Sequence, residues 1–198
     1  MQALIVIDVQ NDFCPGGALA VPGGDDIISG INALMVDADA VVLTQDWHPA
    51  GHSSFASAHA GRAPYDVTQM SYGPQVLWPD HCVQGSAGAD FHAGLQTDRA
   101  EMIVRKGFRP DIDSYSAFFE NDHHTPTGLM GYLESRGISK LIMVGLATDF
   151  CVNFSAVDAA KLGFEVTVRM GLCRAIDLDG SLERARQGMR AAGVVLET

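Results

Sequence analysis

The chain has 198 residues with 13 Lys plus Arg against 24 Asp plus Glu, a formal net charge of −11, so its mean field repels phosphate backbones and argues against nucleic acid as a partner. A hydrophobic fraction of 47% with 19% charged residues excludes the polar, charge-heavy composition of a disordered chain, and this length suits one domain over residues 1–198 with its own core. Four widely spaced cysteines, Cys14, Cys82, Cys151 and Cys173, exclude a disulfide scaffold, and no apolar run approaches the roughly 18 residues of a membrane span, so a reducing cytoplasm is the expected setting.

In chain order, residues 3–7 (ALIVI) form a short apolar run that suits a strand buried on both faces. Asp8 follows too early for these residues to be the core of a signal peptide. Ile27, Ile31, Leu34 and Met35 repeat at helical spacing, and 40–44 (AVVLT) is a second strand. From Gln45 to Ala100 the periodicity lapses, yet the segment holds five of the seven histidines and both tryptophans. A stretch that long without clear elements usually carries function. Strands are expected again at 101–105, 140–146, 164–168 and 194–196. Helical patterns lie between them at Leu129, Met130 and Leu133, at Ser155, Ala156, Ala159 and Leu162, and at Leu182, Ala185 and Met189. Gly137, Gly163 and Gly193 follow three of these helices where a left-handed cap residue belongs. The alternation predicts an α/β fold, a three-layer α/β/α domain around a six-stranded, mostly parallel sheet.

Such sheets bind ligands beyond the carboxyl ends of their strands. Four reactive groups fall there: Asp8 after the first strand, Asp46 after the second, Lys106 after the third, and Cys151 at the helix that follows the fourth. Singly, each is more often a turn residue, a solvated lysine or an inert core cysteine; together they suggest a site. The start of a helix lowers a thiol pKa, so Cys151 is expected to be an activated nucleophile with Asp8 as its base and Lys106 holding both in charged form. In Asp46-Trp47-His48 the alternate side chains share one side of an extended segment, and His81 arrives from the long loop. Two imidazoles and a carboxylate suit one divalent ion, zinc, iron or manganese. His52, His59, His92, His123 and His124 read as solvated loop residues. Neither PGG turn has dinucleotide-binding spacing, and there is no GxSxG elbow.

Taken together and in this order, IDVQNDFCPGGALAV, TQDWHP, WPDHCVQG, GADFH, VRKGF and GLATDFCV resemble the bacterial nicotinamidases, or pyrazinamidases, among the isochorismatase-like cysteine hydrolases. The resemblance spans nearly the whole chain. It implies catalytic Asp8, Lys106 and Cys151, metal ligands Asp46, His48 and His81, and hydrolysis of nicotinamide to nicotinate and ammonia in NAD salvage. It further implies that Phe13, Trp78 and Tyr115 wall a pyridine ring. A cis peptide is expected between Leu146 and Ala147, with the amides of Ala147 and Cys151 forming the oxyanion hole. Where some members place a third metal histidine, this chain has Ser54, which would reach the ion through a water, with His52 nearby. The implied partner is a small carboxamide, and a homo-oligomer is compatible with the reading. Two rivals stand beside it: an amidase of the same superfamily acting on another carboxamide, a ureido compound or a vinyl ether, and a noncatalytic binding relative on the same fold.

Overall fold

In the computed structural model, which describes residues 1–198, every strand expected from the apolar runs forms. The strands are β1 (Gln2–Ile7), β2 (Ala40–Asp46), β3 (Val67–Met70), β4 (Gly73–Val76), β5 (Met102–Lys106), β6 (Lys140–Leu146), β7 (Glu165–Arg174) and β8 (Val195–Glu197). The helices are α1 (Ile28–Met35), α2 (Leu129–Ser135), α3 (Asn153–Lys161) and α4 (Ser181–Ala191). Six strands make one sheet in the order β5-β2-β1-β6-β7-β8, and every pairing within it is parallel. The chain thus forms a single α/β domain with helices flanking a parallel sheet.

The run ALIVI forms a central strand because it buries both faces. Ala3, Ile5 and Ile7 pack into one core with Leu129 and Leu133 of α2, Ala156 and Ala159 of α3, and Ala185 and Met189 of α4. Leu4 and Val6 point the other way, toward Ile28, Ile31 and Met35 of α1. That second layer contains a single helix. Loop residues Phe13, Leu19, Trp78, Cys82 and Leu95 complete it, so the long segment after β2 does the packing that helices do on the opposite face. Gly137, Gly163 and Gly193 have φ of 63°, 94° and 86°, the left-handed caps anticipated from sequence.

Two elements differ from the sequence expectation. The segment 45–100 contains an antiparallel hairpin, β3 with β4, whose short, half-exposed strands lack a clear apolar alternation. Strand β7 runs to Arg174 rather than stopping near 168, because Cys173 and Arg174 pair with Gly145 and Leu146 beyond a register shift. At Gly145, with φ 117°, an added Cβ would lie 2.1 Å from the carbonyl oxygen of Ile7. Only glycine lets β1 and β6 approach so closely there. The sheet changes direction of growth between those two strands, and ligand crevices form at such a point.

Candidate active site

Each functional side chain reaches this crevice from a different strand. Asp8 is the first residue after β1, Asp46 and Lys106 end β2 and β5, and Cys151 lies on a π-helical turn, Thr148–Val152, between β6 and α3. Asp8, Lys106 and Cys151 are all buried.

The ammonium of Lys106 joins them. Its Nζ is 2.9 Å from Asp8 Oδ2 and 2.5 Å from Asp46 Oδ1, and it donates to Ser114 O at 2.9 Å and to Cys151 Sγ at 3.4 Å. Burial would discharge a lone amine, but Asp46 and Asp8 outweigh it and hold the Lys106 pKa well above its ordinary value. For Asp8, burial wins over Lys106 and raises the carboxyl. One ligand atom each of Asp8, Asp46 and Cys151 lies within 4.8 Å of the others.

The thiol overturns one expectation. Burial pushes Cys151 well above its ordinary pKa; Lys106 pulls it down, while Asp8 and Asp46 push it up. Desolvation and two carboxylates thus oppose the lowering that a helix start gives.

Asp46 faces the lysine with Oδ1 and the histidines with Oδ2, which is 3.7 Å from His48 Nε2 and 3.9 Å from His81 Nε2. The Nδ1 of His48 lies 2.8 Å from Gly107 O, and that of His81 lies 2.8 Å from Pro79 O. A carbonyl only accepts, so each ring donates from Nδ1 and turns Nε2 inward. Burial lowers the His81 pKa to about 4. At Asp46 burial acts upward, but Lys106 and the histidines prevail and hold the carboxyl below the usual range. Three buried ligand atoms thus lie within 4.8 Å of one another, with both imidazoles oriented by backbone carbonyls; burial lowers the His48 pKa but Asp46 outweighs it and raises the ring, and the donor set fits a divalent cation.

His52 corrects another expectation, for it is fully buried rather than solvated. Its Nε2 faces Arg109 O and Ile112 O at 2.9 and 3.1 Å, and its Nδ1 accepts from Ser54 Oγ at 2.7 Å. The Ser54 proton is thereby committed to His52, which leaves the hydroxyl lone pairs unspent. His59 is half-buried against Ser53 O, while His123 and His124 are exposed as anticipated.

A small pocket opens onto Cys151, Asp46, His81 and Ala147, between Phe13, Trp78 and Tyr115. All three aromatic residues predicted to wall the ring are therefore present. Tyr115 Oη accepts from Trp78 Nε1 at 3.0 Å and from Gln75 Nε2 at 2.8 Å, which locks the two rings together. The Leu146–Ala147 bond is cis, as expected, and Ala147 N–H donates to no protein acceptor. The pocket also includes Leu19, Asp113, Phe150 and Ile176, which the sequence reading missed. Phe150 had a signal, since it precedes the nucleophile; the other three had none of comparable strength.

A family model described as the Isochorismatase domain matches residues 2–198. The chain belongs to the isochorismatase family. It is 57% identical to the nicotinamidase of Acinetobacter baylyi over 97% of this chain and 90% of that protein. The solved nicotinamidase/pyrazinamidase of Acinetobacter baumanii superposes with a TM-score of 0.98 at 54% identity, covering 100% of this chain and 95% of that one. A pyrazinamidase of Pyrococcus horikoshii, solved in complex with zinc, gives a TM-score of 0.78 at 36% identity over 98% and 97% of the two chains. This member of the isochorismatase family is a hydrolase, similar over its whole length to nicotinamidases.

Proposed function

We propose that the protein hydrolyses nicotinamide to nicotinate and ammonia, accepts pyrazinamide by the same chemistry, and serves NAD salvage in the cytoplasm. The observation that carries this reading is the single lysine amine lying 2.9 Å from Asp8 and 3.4 Å from Cys151, whose side chain lines an aromatic pocket. Nicotinamidases and pyrazinamidases among its relatives supply the substrate class.

In the proposed reaction Asp8 Oδ2 takes the Cys151 proton as Sγ bonds to the carboxamide carbon, and the C=O electron pair moves onto oxygen. The Ala147 and Cys151 amides receive that oxyanion, each such donor contributing about 3 kcal/mol. Collapse breaks the C–N bond while Asp8 passes its proton to the departing nitrogen, which leaves as ammonia. Water then adds to the nicotinoyl thioester with Asp8 again as base, and the C–S bond breaks to give nicotinate and the thiol. Lys106 compensates charge in every state, so the Asp8–Cys151 proton moves without leaving an isolated buried anion.

Asp46, His48 and His81 would hold the divalent ion, zinc, iron or manganese, with Ser54 a contact through water. When bound there the ion supplies a Lewis-acid contact for the ring nitrogen and positive charge beside the thiol. The buried, converging donor set and the zinc complex of the Pyrococcus relative support this assignment. Phe13, Trp78 and Tyr115 enclose the ring and exclude water.

The test is ammonia and acid formation from nicotinamide, pyrazinamide and unrelated carboxamides, with metal content measured on the same sample. Turnover restricted to the pyridine and pyrazine amides is expected. Preference for an open-chain amide or a ureido compound would sink the assignment.

A further inference from the structure

The two oxygens of the Asp8 carboxylate have different surroundings. Oδ1 accepts a hydrogen bond from Thr44 Oγ1 at 2.6 Å, whereas Oδ2 faces the Lys106 ammonium at 2.9 Å and meets no hydroxyl or backbone donor. The Thr44 hydroxyl also accepts the backbone N–H of Asp8 at 3.2 Å. One proton and one lone pair of the same hydroxyl are therefore both directed at Asp8. Thr44 is completely buried inside β2 and makes no other hydrogen bond through its side chain.

Asp8 also needs holding. Its φ is +49°, in the left-handed region that residues with a Cβ adopt at a cost, and a carboxylate turns about its last torsion in a broad two-fold well. Without a second anchor, that rotation would tilt the carboxylate plane away from the thiol and, once Asp8 is protonated, carry the proton to the wrong side. The backbone N–H contact fixes the residue, and the Oδ1 contact fixes the rotation.

We propose that Thr44 is a positioning residue, whose hydroxyl occupies Asp8 Oδ1 and leaves Oδ2 as the only oxygen presented to the Cys151 proton. The inference rests on Asp8 being the base, and it assigns a role to a side chain that touches neither the substrate pocket nor the metal ligands' donor atoms.

The experiment uses full-length, metal-loaded protein carrying Thr44→Val, which keeps the shape and removes the hydroxyl, Thr44→Ser, which restores it, and Asp8→Asn. The expectation for Thr44→Val is a kcat about tenfold or more below the parent, the loss of one hydrogen bond to a charged group. KM for nicotinamide and metal content should be unchanged, and Thr44→Ser should recover most of kcat. If Thr44→Val does not fold, Thr44→Ala provides the hydroxyl-free case. Parental kcat in the hydroxyl-free variant, a serine variant no better than it, or a loss that tracks metal content would each overturn the proposal. Substantial turnover by Asp8→Asn would instead overturn the reading of Asp8 as base, and with it this one. Inactive Asp8→Asn beside fully active Thr44→Val would overturn the positioning role alone.

Discussion

Gly107 and His48 fit against each other so closely that neither leaves room for a larger partner. The Gly107 carbonyl oxygen lies 2.8 Å from His48 Nδ1, and a Cβ on Gly107 would fall 2.4 Å from His48 Cε1. Gly107 also has φ +65°, which suits glycine.

Replacing Gly107 with alanine should therefore displace the imidazole without removing any ligand. Metal affinity is expected to fall by about 10–100-fold, the range for losing the contact that orients a ligating histidine. A competition titration with a chromophoric chelator would measure it, and unchanged affinity would show that the ring finds its place without this neighbour.

Cys151→Ala should abolish ammonia release while leaving the fold in place, since the lost sulfur borders the pocket and the alanine keeps the turn compatible with α3. Circular dichroism and a turnover assay on one preparation are sufficient. Appreciable residual turnover would exclude the covalent route.

The thiol makes a prediction about pH. Cys151 sits above its usual value of 9.0 because burial and two carboxylates disfavour the anion, so the neutral thiol persists below that pH and alkylation accelerates only above it. In metal-free protein the midpoint of iodoacetamide labelling at Cys151 should lie above 9.0, and metal loading, which brings positive charge nearby, should move it down. A midpoint below 9.0 without metal would mean that the carboxylates exert less influence than their positions imply.

Chelation should raise KM for nicotinamide far more than it lowers thermal stability, because the three ligands are already held by Gly107, Pro79 and Lys106 in the absence of an ion. Steady-state kinetics and a melting curve before and after metal removal separate the two effects. An unchanged KM would remove the metal from substrate binding.

Tyr115→Phe deletes the acceptor shared by Trp78 Nε1 and Gln75 Nε2. Gln75 Nε2 retains Asp113 and Val76 O, but the Trp78 donor loses its only protein partner. The expected cost is about 1–3 kcal/mol, a few degrees in Tm for a chain of this size, with a raised KM as the rings loosen. A variant as stable as the parent would show that water replaces the phenol.

The strands were legible because burial on both faces writes continuous branched apolar runs, and the residues proposed for catalysis and metal binding, His81 apart, were legible because they lie at or just beyond the strand ends. Properties decided by depth were less so. The sequence brings Asp8 and Asp46 to the same sheet edge as Cys151 but does not show how deeply the thiol is buried, and burial is the largest influence acting against the helix start. His52 read as a loop histidine because its satisfying carbonyls, at Arg109 and Ile112, come from a segment more than 50 positions away. Thr44 passed as an ordinary β-branched strand residue, its hydroxyl meaningful only once Asp8 is seen across the neighbouring strand. The β3–β4 hairpin escaped because its two four-residue strands lie half in solvent and carry no strong periodicity.

The groups proposed to react are distributed over four separate strand ends, and this has a practical outcome for anyone refolding or dissecting the chain. No contiguous fragment lacking β1 or β6 retains the full reacting set, and the parallel pairings that unite it require crossovers instead of hairpins. Recovery of turnover after dilution from denaturant would thus report completion of the central sheet, a built-in gauge of global assembly that helix content alone would overstate.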